Sequence, residues 1–105
     1  MTIQMDNKIE QSKALASEAR ISILRWLAAP DQHFSDQVTG APSKIGGCVS
    51  LLTEKLGMSQ PTVSRHLELL KQADFLTVQK IGQWSFFKRN EKGLSEYKRW
   101  LDDNI

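Results

Sequence analysis

The segment GMSQPTVSRHLELLKQA, residues 57–73, carries a complete helix signal in one line. Ser59 can accept a hydrogen bond from the free amides of the first turn. Pro61 is tolerated in that turn, because the amide it lacks would have had no partner there. Val63, Leu67 and Leu70 then recur on one stripe, and the helix is predicted to run to about Ala73. Just upstream, Val49, Leu52 and Leu56 fall at i, i+3 and i+7, the pattern of a short helix that Gly57 can end. Downstream, 76–81 and 84–89 are rich in β-branched and aromatic residues, with Gly82 and Gln83 as the turn between them. Two helices on the tight turn Gly57, Met58, Ser59, followed by a hairpin, predict a helix-turn-helix over about 49–73 and a wing over about 76–89.

Working outward, a weakly amphipathic helix is expected over about 4–16, with Ile9 and Leu15 apolar. A second, capped by Ser17, places Ile21, Leu24, Leu27 and Ala28 on a stripe and stops at Pro30. The 18 residues from Pro30 to Gly47 hold Gly40, Pro42, Ser43 and Gly46 and keep no period, so they read as a long loop. A connection longer than about 12–15 residues is usually functional or disordered. Asn90 can cap a last helix over about 91–104, with Leu94, Tyr97, Leu101 and Ile105 on a stripe and Trp100 beside it. The expected fold is one domain over 1–105, mainly α with a small β-hairpin wing, in the order α-α-α-α-β-β-α.

A chain of 105 residues leaves no room for a separate catalytic domain. Apolar residues at 40% and charged residues at 25% describe an ordinary folding domain. One this short gains by burying more surface through dimerisation of an amphipathic terminal helix. Cys48 is the only cysteine, so no internal disulfide and no four-thiolate zinc site can form within one chain. The start, MTIQMDNK, lacks a basic region followed by an apolar stretch, and the run ISILRWLAA is broken by Arg25. No membrane association and a cytoplasmic location are therefore expected. The net charge of +2 is uninformative, but from Ser59 to Asn90 five basic residues meet only two acidic ones. A surplus of that size is compatible with a solvated face as well as with a phosphate-binding surface.

The face of the 60–72 helix opposite its stripe holds Gln60, Pro61, Ser64, Arg65 and Gln72, with Thr62 at the margin. Glutamine can pair bidentately with adenine and arginine with guanine, while serine and threonine reach bases or phosphates. These residues gather toward the helix N-terminus, the end that enters a major groove. Glu68 works against this, since a carboxylate repels the DNA backbone unless it meets a cytosine amino group.

The stretches KALASEARISIL, residues 13–24, and LGMSQPTVSRHLELLKQADFLTVQKIGQWSFFKR, residues 56–89, resemble the ArsR/SmtB group of bacterial winged helix-turn-helix repressors. The resemblance implies a homodimer joined through its first and last helices, at Ile9, Leu94, Tyr97, Trp100 and Leu101. Its partner would be double-stranded operator DNA with a palindromic site, released by a small-molecule or redox effector. The match puts Ser59, Gln60, Thr62, Ser64, Arg65 and His66 on the recognition helix, and Lys80, Gln83 and Lys88 in the wing. Where metal-sensing members carry Cys-Val-Cys, this chain has Cys48, Val49 and Ser50, and its last helix has no histidine. No metal and no cofactor are therefore expected, and the 30–47 loop becomes a candidate for effector or partner binding.

Competing readings are structural. Cys48 could be a redox sensor or one metal ligand, but a lone cysteine is more often a small buried apolar residue. His66 can pack beside its stripe or donate to a phosphate. His33, near Asp31 and Asp36, is a solvated loop residue by default. Trp26, Trp84, Phe86, Phe87 and Trp100 are expected mostly in the core. No nucleophile, base and orienting group come together, so an enzyme is not expected. The rivals to a repressor are a winged helix used only to bind protein, and a metal- or redox-responsive repressor using Cys48.

Overall fold

Three capping side chains start three of the helices. Ser17 accepts from the Arg20 amide, Ser59 from that of Thr62, and Asn90 from that of Gly93. A computed structural model describes residues 2–37 and 40–105 of the chain. Its order is α1 (Thr2–Ala14), α2 (Glu18–Ala28), α3 (Pro30–His33), α4 (Pro42–Ile45), β1 (Gly47–Cys48), α5 (Val49–Leu56), α6 (Gln60–Gln72), β2 (Leu76–Ile81), β3 (Trp84–Arg89) and α7 (Glu91–Asn104). The expected winged helix-turn-helix is present, with an antiparallel sheet in the order β1-β3-β2.

The stretch read as a long loop is structured. Pro30 and Pro42 each open a single helical turn, where fixed φ is an advantage and the missing amide costs nothing. Phe34 follows the first turn and is buried in the main core. β1 then pairs with β3, Gly47 opposite Phe87 and Cys48 opposite Phe86, so a third strand joins the wing. The Gln37 amide ties the segment together, donating to the carbonyls of Gly40 (3.1 Å) and Gly46 (2.9 Å) and accepting from the Cys48 amide (2.8 Å). Residues 38–39 lie outside the described part of that stretch.

Two further expectations shift. On α2 the buried stripe is Ile23, Leu24 and Leu27; Ile21 sits on its flank, 38% exposed, and Ala28 is exposed. Ile23 and Leu27 are four apart and stack on one face, whereas Ile21 stacks with Ala28 along the edge. α1 begins and ends about two residues earlier than its pattern implied, closed by a turn in which Leu15 and Ala16 donate to Ser12 and Lys13.

The core lies where α2, α5, α6, the sheet and α7 converge, around Leu52, Leu67, Leu70, Phe75 and Leu76. α6 ends in a Schellman motif. Asp74 adopts φ 68°, its amide bonds to Lys71 and the next amide, of Phe75, to Leu70. The start of α7 is fastened to this turn, because Asn90 Nδ2 donates to the Asp74 carbonyl (3.0 Å). Gly93 packs so closely on that carbonyl that no Cβ would fit. The recognition helix, wing and last helix are thus one mechanical unit.

Candidate nucleic-acid interface

Gly57 ends α5 with φ 66°, a left-handed conformation that turns the chain in three residues onto α6. The Ser59 hydroxyl is spent on this junction, accepting from the Thr62 amide and donating to the Thr62 hydroxyl (2.9 Å). With Val63 and Leu67 drawn into the core, Gln60, Pro61, Thr62, Ser64 and Arg65 stand exposed. Among the described residues the side chains of Gln60, Ser64 and Arg65 have no hydrogen-bond or ion-pair partner. Arg65 therefore keeps its full fork of donors for a guest.

Other expected site residues are less free. Gln72 donates to Glu68 (3.1 Å), which occupies the carboxylate that would repel phosphate. His66 is half-buried, with its Nδ1 2.9 Å from Arg20 Nη1. Arginine can only donate, so Nδ1 must accept and the ring proton sits on Nε2. Arg20 also donates from Nε to the Ala14 carbonyl (2.6 Å), linking the end of α1 to the recognition helix. Burial, and then the Arg20 charge, hold the His66 pKa below the usual histidine value.

In the wing, Lys80 and Gln83 are exposed without partners among the described residues, while Lys88 donates to the Lys44 carbonyl (3.2 Å). A cleft of about 420 Å³ separates the wing from α6, bordered by Gln60, Ser64, Glu68, Gln83, Trp84 and Cys48. Cys48 is buried, in keeping with a small apolar role. No group of three His, Cys, Asp or Glu residues able to hold a metal occurs among the described residues, and no described helix is long and apolar enough to cross a membrane.

Of the five residues expected at a dimer seam, Leu94 and Tyr97 turn inward, each 5% exposed. Tyr97 stacks on Trp100 and its hydroxyl lies 2.6 Å from Ser12 Oγ, so its stripe joins α7 to its own protomer. Ile9 stays open at 44%, and Trp100 and Leu101 are half-covered. Sequence reasoning also missed Arg20 and treated Trp84 as core; Trp84 is 43% exposed. Its place beside the Gly82–Gln83 turn was the available signal, since a hairpin tip projects away from the core.

The family described as bacterial regulatory protein, arsR family, matches residues 47–78, which run from β1 into β2. The HTH-type transcriptional regulator YbzH of Bacillus subtilis (strain 168) is 38% identical over 97 residues, covering 92% of this chain and 97% of that protein. The chain belongs to the arsR family of bacterial transcriptional regulators. The transcriptional repressor SdpR of the same bacterium is 30% identical over 89 residues, covering 85% of this chain and 82% of SdpR. A solved homodimeric winged helix-turn-helix DNA-binding domain, Mb0332 from Mycobacterium bovis, has the same fold, with TM-score 0.69 and 19% identity over 99% of this chain and 86% of that one. Within this arsR-family chain, the matched segment 47–78 contains the exposed face of α6 but stops short of β3 and α7.

Proposed function

We propose that this arsR-family regulator is a cytoplasmic repressor that binds a palindromic operator as a homodimer and leaves it when an effector binds. The observation that carries this is the N-terminal half of α6, where Gln60, Ser64 and Arg65 project unpartnered from a helix anchored behind by Val63 and Leu67. A helix so presented fits a major groove, its capped N-terminus contributes a favourable dipole to phosphates, and the wing reaches the adjoining backbone. Two such helices in a dimer would read half-sites about 34–36 Å apart. SdpR, a repressor, and Mb0332, a homodimer, support the corresponding parts of the reading.

Footprinting the protein on DNA upstream of its own coding region tests recognition directly. Protection of a two-fold site, with affinity falling steeply and log-linearly with salt, is the expected result. Affinity insensitive to salt would favour a module that binds only protein. The seam is assigned to Ile9, Trp100 and Leu101, so Leu101→Glu should yield monomers in sedimentation, because an unpaired charge would be buried there. An intact Leu101→Glu dimer would place the seam elsewhere.

A further inference from the structure

A groove of about 490 Å³ runs between α1 and the C-terminal end of α6, walled by Asn7, Glu10 and Ala14 on one side and by Leu69 and Ala73 on the other, with Arg20 of α2 completing it. That is the size of a small-molecule site, and Ala14, Leu69 and Ala73 give it apolar walls. Of the charges around it, Glu10 is spent on Lys13 at 3.4 Å, whereas Arg20 has no carboxylate partner among the described residues. Arg20 uses three N–H donors, on the Ala14 carbonyl (2.6 Å), on His66 Nδ1 (2.9 Å) and, at 3.4 Å, on the Lys13 carbonyl. A guanidinium carries five, so donors remain for a guest. Behind the α1 wall, Gln11 Nε2 donates to the Ala73 carbonyl (2.8 Å), while Gln11 Oε1 is buried without a partner among the described residues. An unmet buried acceptor weakens the seam it sits in, so α1 can shift on α6 when a guest enters.

We propose that this groove binds a small organic carboxylate, whose charge meets the spare donors of Arg20 and whose apolar body lies against Ala14, Leu69 and Ala73, and that α6 responds to it. Only the response in operator affinity rests on the operator-binding reading; the binding itself does not. The lining selects the class. A cationic guest would meet the Arg20 charge, a neutral apolar one would cover that charge without pairing it, and an inorganic anion would leave the apolar walls unused. A second copy of the chain is the weaker occupant, because neighbouring residues on a helix are about 100° apart, which turns Ile9 of the assigned seam away from Glu10. Arg20 also carries the coupling. Paired bonds from a guanidinium to a carboxylate outcompete one to a neutral ring, so the guest draws Arg20 from His66 and unties the end of α1 from the recognition helix.

The probe is benzoate, with benzamide as its neutral isostere and acetate as the same charge without the ring. In titrations of the full chain followed by amide correlation spectra, benzoate is expected to shift the amides of Ala14, Leu69 and Ala73. Benzamide and acetate should each bind about tenfold more weakly or worse. Arg20→Gln should lose the preference for benzoate over benzamide. Leu69→Trp, which crowds the apolar part of the groove and leaves Arg20 in place, should bind neither, and it keeps the test decisive if Arg20→Gln fails to fold. On the footprinted operator, saturating benzoate should weaken wild-type binding about tenfold and leave the affinity of Leu69→Trp as it is without benzoate.

Benzamide or acetate binding as well as benzoate would overturn the proposal, as would undiminished benzoate binding by a folded Leu69→Trp protein. The same amides shifting with protein concentration alone would give the groove to a second copy. If benzoate binds and operator affinity does not move, the coupling through Arg20 falls. If no footprint forms at all, the operator-binding reading falls, while the spectra still decide whether the groove takes a carboxylate.

Discussion

Gln60 and Gln37 are the same residue in opposite situations. Gln60 lies exposed at the start of α6, with no partner for its amide among the described residues. Gln37 is half-buried between α3 and α4 and makes three hydrogen bonds of 2.8–3.1 Å to backbone groups of its own segment. A polar side chain whose bonding capacity is met inside the protein is part of the scaffold. One left unmet on a rigid helix is available to a ligand. The difference divides the molecule into an exposed face on the N-terminal half of α6, proposed to meet DNA, and a supporting segment over 29–48 that closes the sheet behind it. Substitutions in the two regions should accordingly register in different measurements.

The largest effect is expected in the support. Phe34 is 1% exposed and reaches the core from a segment without regular length, so Phe34→Ala should cost about 3–5 kcal/mol of unfolding free energy by denaturant titration. A loss below about 0.5 kcal/mol, the range of surface substitutions, would mean that the segment is peripheral. Gln37→Ala should cost less, about 1–3 kcal/mol, because it leaves the Cys48 amide and the Gly46 carbonyl without their side-chain partner. Under conditions where the variant is fully folded, its operator affinity should match the wild type. If affinity falls while stability holds, the segment belongs to the recognition machinery after all.

Arg65→Ala should invert that pattern. It should remove roughly 1–3 kcal/mol of specific binding if its guanidinium addresses a guanine. Stability should stay within about 0.5 kcal/mol, as for other exposed positions. Equal affinity for operator and variant would take sequence reading away from Arg65. Lost stability would mean that its exposure in the free protomer misleads.

The contrast also explains which parts of the fold could be read in advance. α6 and α7 announce themselves because each has a start signal, a sustained period and a stop, Ser59 with Val63, Leu67 and Leu70, or Asn90 with Leu94 and Tyr97, whereas β2 and β3 are marked by β-branched and aromatic composition on either side of the Gly82–Gln83 turn. α3 and α4 are single turns and β1 is two residues long, too short for any periodicity to accumulate, and what holds them is the non-local Gln37 network. The exposed residues of the candidate interface were legible for the same reason as α6, being the complement of a clear stripe. The α7 stripe predicted burial but could not say against what. Leu94 and Tyr97 are satisfied within the protomer, while Trp100, Leu101 and Ile105 beyond them stay accessible. Arg20 and His66 are 46 residues apart in sequence, and no local pattern connects them.

That last pair supplies the smallest and most diagnostic prediction, since His66 lies on the recognition helix yet is bonded like a scaffold residue. Its Nδ1 must be unprotonated to accept from Arg20, and burial together with the Arg20 charge disfavours the imidazolium in the folded state. Arg20 of α2 is the charged group bonded to His66; Arg20 shares a pocket beside α6 with Lys13 and Glu10 of α1, which pair with each other at 3.4 Å. With the folded pKa below the unfolded value, the unfolded chain binds the proton more readily. The stabilisation is therefore complete above about pH 6.5 and declines as pH falls from there through the folded pKa. Melting temperature measured against pH should drop across this window in the wild type. In His66→Asn, whose carbonyl can still accept from Arg20 but cannot titrate, the drop should shrink. An unchanged pH profile in His66→Asn would assign the acid sensitivity to other groups and return His66 to the set of side chains free to meet DNA.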